Sequence, residues 1–449
     1  MAWGRGSATQ GLDDICERLR KNDPKLASLT ILKHRKFDHT EVAKLCNSLG
    51  HNTVLKELYA SNHSINADSA LLISQLLAVN SSLTSLCIGN SSFGDAGVAA
   101  LHDGLLKSAS LVSVDFENKG ISKTGTAVIS EILHSNKILS HVNIARNPVG
   151  DEGLSALCSH PWGSLTHLDL RSCELGPMSM QHMAEALGHF TAPLSILHLS
   201  HNTLGAQAGV HLSAILRHAS SLTQLYLIEC SLGDAGVQGL APGVAKHDAL
   251  ERLDLNSNGL SSTGSSAVAS ALSESSSLLR LELGDNPNIS AKDIAELARS
   301  LHKSQPQGVQ GVQVLNISSS KLNGAEGIEA IDQLASTKVK SLCLLGTSLG
   351  NSGAERLAYW LSEGGFSSLQ ELSLSGCDLE LHGGLSLVLK VLQEGHAPAL
   401  QVLECGANPA CQAEDMVGIL LSLRESRPSL SVHWNAGDES GNFEQEAAQ

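Results

Sequence analysis

Histidine, serine and acidic residues in the middle of the chain offer the most obvious chemistry. His167, His198 and His201 have the side chains of a zinc site, and with Asp169 and Ser200 they supply the residue types of a hydrolytic triad. No cysteine ligand lies beside them in the sequence, and no nucleophile-elbow or oxyanion-hole motif accompanies them. We therefore predict surface histidines, with no catalytic residue, no metal site and no cofactor.

Two further motifs resemble ligand sites in composition. GDAG and GDEG turns at Gly94, Gly150 and Gly233 lack the Gly-Lys-Ser/Thr ending of a phosphate loop, so we interpret them as the starts of helices. The basic run from Lys33 to Lys36 is short, and we interpret it as a solvated loop.

The residues of these motifs lie within a pattern that repeats along the chain, L-x-x-L-x-L-x-x-(N/C/S)-x-L. Clear copies start at Leu83, Leu139, Leu165, Leu194, Leu222, Leu250 and Leu369. Weaker copies start at Leu26, Leu55, Leu111, Leu278, Val312, Val339 and Leu400. A last strand is predicted near Leu430 to Trp434.

The repeat predicts the fold. A unit near 28 residues is long enough for one strand and one α-helix, and Val98, Leu101 and Leu105 follow helical spacing after a strand. Asp95, Asp151 and Asp234 fall where helices begin, where the helix dipole favours negative charge. Because one unit cannot bury its aliphatic face alone, we predict an α/β solenoid (a horseshoe) of about 14 repeats, with a parallel concave β-sheet and outer α-helices.

The repeats resemble the ribonuclease-inhibitor-type leucine-rich repeat superfamily over roughly residues 26–434. That superfamily includes ribonuclease inhibitor, the Ran GTPase-activating protein, the repeat domains of NOD-like receptors and the C-terminal domain of tropomodulin. The N-terminal run Asn22-Asp23-Pro24 is similar to the cap of the tropomodulin repeat domain. The resemblance implies the fold, while the activities of its members differ.

The predicted organisation is one repeat domain with short ends. Residues 1–11 are expected to be disordered, 12–25 to form a capping helix leading into the first strand, 26–434 to form the leucine-rich repeat solenoid, and 435–449 to form an acidic disordered tail. The longest unit, 278–311, contains Pro306 and is expected to bulge between helix and strand.

Partner-binding residues are expected on the concave face. Alternation in a strand turns repeat positions 2, 3, 5, 7 and 8 away from the core leucines, and the central units are richest in charge there. The predicted binding residues are Asp115, Glu117, Arg146, Asp169, Arg171, His198, Tyr226, Glu229, Arg252, Asp254 and Glu282. Tyr226 is the strongest single candidate, because aromatic side chains dominate binding hot spots. The alternative is that these residues only solvate the sheet and pair across strands.

Composition narrows the function. The 449-residue chain has a net charge of −15, which argues against nucleic acid and favours a protein partner with a basic surface. Its start has no apolar signal segment, its longest apolar stretch (Met416 to Leu423) is shorter than the roughly 20 residues of a membrane span, and its 10 cysteines contain no CxxC pair. We expect a cytoplasmic protein without membrane contact.

We predict a non-enzymatic interaction scaffold or regulator. Two alternatives remain open: a GTPase-activating protein resembling the Ran activator, and an actin- or cytoskeleton-associated protein resembling the C-terminal domain of tropomodulin. Single-turnover GTP hydrolysis by Ran separates the first alternative from a scaffold.

Overall fold

The computed structural model describes residues 2–3, 11–303 and 311–434. The chain forms two compact units, Met1–Leu225 and Tyr226–Gln449. Most of the predicted disordered N-terminus, the acidic tail and residues 304–310 of the long unit lie outside the described residues. The predictions for those segments stay predictions.

The described residues form short strands and longer helices. The strands are β1 (Ala2–Trp3), β2 (Ser28–Ile31), β3 (Glu57–Ser61), β4 (Ser85–Gly89), β5 (Ser113–Asp115), β6 (His141–Asn143), β7 (His167–Asp169), β8 (Ile196–His198), β9 (Gln224–Tyr226), β10 (Arg252–Asp254), β11 (Arg280–Glu282), β12 (Val314–Asn316), β13 (Ser341–Cys343), β14 (Glu371–Ser373), β15 (Val402–Glu404) and β16 (Ser431–His433). The α-helices are α1 (Leu12–Arg20), α2 (His39–Leu49), α3 (Ala67–Leu77), α4 (Gly94–Lys107), α5 (Lys123–Ser135), α6 (Gly150–Leu157), α7 (Pro177–His189), α8 (Ala208–His218), α9 (Gly233–Ala245), α10 (Ser262–Glu274), α11 (Ala291–Lys303), α12 (Gly324–Ala335), α13 (Gly350–Ser362), α14 (Ser386–Gln393) and α15 (Met416–Ser426). A turn at Leu381–Leu385, in which His382 and Gly383 have non-helical backbone angles, precedes α14, and a 3-10 turn (Pro409–Gln412) precedes α15.

Strands and helices alternate along the chain, and the strands pair in parallel. In the first unit β1 to β8 pair in the order of the sequence, and in the second unit β10 to β16 do the same. In the described residues fourteen strand–helix repeats run from β2 to α15. The strand β16 begins a further repeat, which gives about fifteen in total. The predicted leucine-rich repeat solenoid is confirmed.

The core is a ladder of aliphatic side chains at the repeat positions 1, 4, 6 and 11. In the repeat of β7 these are Leu165, Leu168, Leu170 and Leu175, each at most 1% exposed. Burying one such leucine contributes about 1.5–3 kcal/mol. Buried, mostly aliphatic side chains occupy these positions in most other layers, which is why a core with few aromatic residues is sufficient.

In several repeats a buried polar residue at position 9 ties the layer to the one before it. Asn147 donates from Nδ2 to the carbonyl oxygens of Phe116 and Ile144, both at 2.8 Å, and its Oδ1 accepts from Lys119 N at 2.9 Å. Where the residue is Cys173, the thiol donates to the oxygen of Ile144 at 3.1 Å. These side chains satisfy backbone groups that the bend after each strand leaves unpaired.

The first-turn aspartates bind the next helix along the chain. Asp234, in α9, accepts from Ser261 N at 2.8 Å, from Ser261 Oγ at 2.5 Å and from Gly264 N at 2.9 Å. Asp95 in α4 accepts from Ser122, the N-cap of α5, in the same way. The sequence predicts the helix positions of these residues correctly, but their main partners are the unsatisfied amides of the following helix.

Gly264 shows why the helix that binds this aspartate has a glycine in its first turn. A Cβ at that position would lie 2.5 Å from Oδ1 of Asp234, closer than any side chain can approach. The hydrogen bond and the missing side chain therefore depend on each other.

The part of the chain that the structure describes contains no helix long and apolar enough to cross a membrane. No disulfide joins the cysteines, and seven of the 10 are buried. Burial raises the pKa of several thiols, for example that of Cys173 to about 12.

Candidate functional site

The strands expose alternate residues on the side of the sheet away from the buried leucines, which we call the open face. In β7, His167 and Asp169 are half-buried, whereas Leu168 between them is 1% exposed. Strand register aligns Asp115, Asn143, Asp169 and His198 in one row across four strands of the first unit. Four neighbouring strands therefore present one polar row, in which Asn143 separates two of the predicted acids.

A charge network connects predicted residues in the repeats of β5 and β6. Arg146 Nε lies 3.1 Å from Glu117 Oε1. Asn143 donates from Nδ2 to Asp115 Oδ1 at 3.2 Å and to Glu117 Oε2 at 3.3 Å. The structure therefore brings together the predicted residues Asp115, Glu117 and Arg146, and Asn143 bridges the two acids.

Arg171 is held by Asp169 of the same repeat. Its Nε donates to both carboxylate oxygens of Asp169, at 2.9 and 2.8 Å. These hydrogen bonds raise the pKa of Arg171 above its usual range, and the carboxylates of Glu117 and Asp115 contribute a smaller effect. The guanidinium has a fixed position without losing contact with solvent.

The imidazole rings of His141 and His167 stack on the open face of the first unit. Their centroids are 3.8 Å apart and their planes differ by 17°. Ser140 Oγ lies 2.8 Å from Nδ1 of His141, and Thr166 Oγ1 lies 2.7 Å from Nδ1 of His167. Burial lowers the pKa of both histidines, and the proximity of His141 lowers that of His167 further.

The second unit has its own cluster, centred on Arg252. The guanidinium carbon of Arg252 lies 4.5 Å from the ring centroid of Tyr226. Its Nη2 is 3.5 Å from Asp254 and 4.0 Å from Glu282, and Arg280 Nε is 2.5 Å from Glu282. Two buried carboxylates thus fix two arginines, one of which stacks on the tyrosine.

The burial of these carboxylates corrects a simple surface interpretation. Asp254 is 2% exposed and Glu282 is 5% exposed. Burial raises the pKa of Asp254, although a backbone N–H and Arg252 act in the opposite direction. Both acids therefore lie beneath the arginines, while Tyr226 and Arg252 are half-buried.

Comparisons with known proteins agree with this architecture. A family model described as "Leucine Rich repeat" matches residues 135–158 and 164–180. Ribonuclease inhibitor of Sus scrofa is 29% identical over 80% of this chain and 90% of its own length, and that of Mus musculus is 27% identical with the same coverage. These matches support a ribonuclease-inhibitor-like leucine-rich repeat architecture for this chain. A third relative, human "NACHT, LRR and PYD domains-containing protein 5", is 30% identical over 53% of this chain and 20% of its own length.

In this ribonuclease-inhibitor-like chain the strand ends sooner than the alternation pattern predicts. Most strands stop at repeat position 5, so Glu117 and Arg171 at position 7, and Arg146 and Glu229 at position 8, lie in the turn. Position 8 has a left-handed backbone in nearly every repeat, including Asn118, Arg146, Ser172, His201, Glu229, Ser257 and Asp285. Frequent Asn, Ser and Gly at this position is the sequence signal for it.

The left-handed residues line a feature that the sequence did not predict. Asn118, Arg146, Ser172 and His201 surround a shallow depression beside the ends of the first unit's strands. Their side chains reach it because a positive φ swings each one out of the strand direction. It extends the polar area of the charge network.

The alternative chemistries find no support in the geometry of this ribonuclease-inhibitor-like chain. Within the described ranges no group of three or more His, Cys, Asp or Glu side chains is placed to hold a metal ion. Ser200 is 1% exposed, so it offers no accessible nucleophile. The amides of Gly94 and Gly150 donate to the oxygens of Lys119 and Cys173 at 2.8 and 2.9 Å, and are therefore not directed at a phosphate.

Proposed function

We propose that this chain is a protein-binding scaffold that holds a partner with a basic surface on its open face. Similarity to ribonuclease inhibitor supports the protein-binding role, and the net charge of −15 supports a basic partner, because opposite charge speeds encounter and suppresses wrong partners. The relatives are named ribonuclease inhibitor, so a ribonuclease is the first protein to test.

The observation that carries the proposal is the stacked pair of Tyr226 and Arg252. Aromatic and arginine side chains dominate hot spots, since they bury a large area and lose little entropy when they are already fixed. Here Arg252 is fixed by Asp254 and Glu282 and stacks on Tyr226 at 4.5 Å. A purely solvating surface does not require two buried carboxylates beneath an arginine.

The test compares two side chains of the second unit. Tyr226 lies on the open face, whereas Leu421 lies on α15 and is 51% exposed. Binding of pancreatic ribonuclease is measured by calorimetry with wild type, Tyr226→Ala and Leu421→Ala. Capture from cells that express the protein extends the test to other partners.

We expect Tyr226→Ala to weaken the binding of a partner by at least about 2 kcal/mol, or roughly thirtyfold, while Leu421→Ala retains wild-type binding. Asp254→Asn should weaken partner binding less, because Arg252 keeps its ion pair with Glu282. Equal retention of every captured protein by wild type and by the Tyr226→Ala/Asp254→Asn variant would contradict binding at the open face.

A further inference from the structure

Helix α13 carries an aromatic residue where other helices carry a polar one. Tyr359 lies six residues after the glycine in the first turn of α13. The matching positions after the first-turn glycines of α4, α5 and α10 hold Asp103, Glu131 and Ser270, all exposed. Tyr359 is 47% exposed, so its ring is an apolar surface on a part of the helix that is elsewhere solvated.

The ring is held in place by its neighbours. Arg356 lies with its guanidinium carbon 4.7 Å from the Tyr359 centroid, and Trp360 packs edge-on against the ring with centroids 5.5 Å apart. Asp332 of α12 accepts from Arg356 Nε at 2.5 Å, from Arg356 Nη2 at 3.0 Å and from Trp360 Nε1 at 2.6 Å. The aromatic pair is thus fixed before any partner arrives, which reduces the entropy lost on binding.

Two carboxylates flank Tyr359 on the same side of the helix. Glu355 precedes it by four residues and Glu363 follows it by four, with Glu363 N donating to the oxygen of Tyr359 at 3.0 Å. This spacing places the three side chains in one stripe. Both glutamates are exposed, and neither forms an ion pair with another described residue. The charge of Arg356 is offset by Asp332, so the stripe has a negative surplus.

We propose that Glu355, Tyr359, Trp360 and Glu363 form a second protein-binding surface, the α13 stripe, which takes a Lys- or Arg-bearing segment of a partner protein. The aliphatic part of such a side chain lies against the tyrosine ring, and its cationic end reaches a glutamate on either side. Charge complementarity selects this occupant, because an acidic or purely apolar segment leaves the two carboxylates unmatched. The surface is independent of the open face and of the function proposed for it.

The test uses the full chain and a fluorescein-labelled peptide of repeated Gly-Arg-Leu-Lys, with a Gly-Glu-Leu-Glu peptide as comparison. Anisotropy at low salt should show saturable binding of the basic peptide only. Tyr359→Ala and Glu355→Gln/Glu363→Gln should each weaken it about tenfold or more. Tyr359→Gln repeats the test if the alanine variant does not fold.

Two controls separate the stripe from general charge attraction. Glu414→Gln/Glu425→Gln removes the same charge from exposed sites of the second unit, and Leu421→Ala removes an exposed apolar side chain from α15. Both should bind the basic peptide within about twofold of wild type. The proposal is overturned if wild type does not bind the basic peptide, if Tyr359→Ala binds as wild type does, or if the Glu414/Glu425 variant loses as much affinity as the Glu355/Glu363 variant.

Discussion

Lys119 Nζ donates a hydrogen bond to the carbonyl oxygen of Gly89 at 2.9 Å. Lys119 stands at repeat position 9, where the two repeats that follow have Asn147 and Cys173, and it is 3% exposed. A longer side chain thus makes the link to the previous layer, and it also approaches Ser61 Oγ at 3.4 Å. A buried ammonium is expensive unless such acceptors surround it.

Replacing Lys119 by methionine should lower the free energy of unfolding by about 1–3 kcal/mol. Methionine fills a similar volume but leaves the oxygen of Gly89 without this donor. Lys119→Asn should lose less, because asparagine makes the link in other repeats, as Asn147 does. Urea unfolding of both variants checks this, and a methionine variant as stable as wild type would show that the hydrogen bond is not needed.

The stacked histidines should make stability depend on pH. The pKa of His141 and of His167 is lowered in the folded protein, so the unfolded chain binds protons more readily. Their contribution is complete above the ordinary histidine pKa of about 6.5 and is lost as the pH falls below it. As the pH is lowered from about 8 to about 5, the melting temperature of wild type should fall more steeply than that of His141→Gln/His167→Gln. Parallel curves for the two proteins would rule out a role for the pair.

Asp234→Ala should destabilise the second unit by about 1–2 kcal/mol, as the loss of a helix cap does. The variant removes the acceptor for Ser261 and Gly264 at the start of α10. Glu274→Ala, at the exposed end of the same helix, should change stability by less than about 0.5 kcal/mol. Equal effects of the two substitutions in urea unfolding would mean that Asp234 does not cap α10.

The same aspartate predicts an acid transition. Burial alone raises the pKa of Asp234, but the hydrogen bonds from Ser261 and Gly264 outweigh it and the pKa lies below its usual value. Its stabilising effect is present above the pKa of an unfolded aspartate and is lost as the pH falls through the folded value. The stability difference between wild type and Asp234→Ala should therefore shrink in acid.

Gly376→Ala should cost about 1 kcal/mol through backbone conformation alone. Gly376 has φ +62° at repeat position 8, and the atoms nearest to a Cβ there are 3.8 Å away, so no clash contributes. Gly376→Asn should cost less, because asparagine tolerates the left-handed region. Calorimetry of the two variants checks the order, and an alanine variant equal to wild type would contradict the conformational explanation.

The periodicity of the leucines predicted the fold because each layer repeats the same burial. Leu165, Leu168 and Leu170 follow from spacing alone. The partners of Asp95 and Asp234 did not, since each contact joins residues 27 or more positions apart and depends on how adjacent helices align. The repeat pattern predicts where a helix begins, but not which residues of the adjacent helix bind its first turn.

The candidate site was predicted in part for a similar reason. Alternation assigned Asp254 to the correct face of the sheet, but not its burial beneath Arg252. It also treated Arg146 as a strand residue, whereas the strand has ended there and the backbone is left-handed. The stacking of His141 on His167 has a local signal, histidine at one repeat position in consecutive units, but the contact requires the register of β6 and β7.

The aspartate links restrict the order in which repeats can follow one another. Asp95, Asp151 and Asp234 each serve the beginning of the following helix, through Ser122, Gly176 and Ser261. A repeat that contains such an aspartate needs a following repeat whose helix begins with a matching amide donor. Copying or deleting one repeat would separate the aspartate from the amide that it binds. Changes in repeat number that preserve stability should therefore move the two repeats of each link together as a pair.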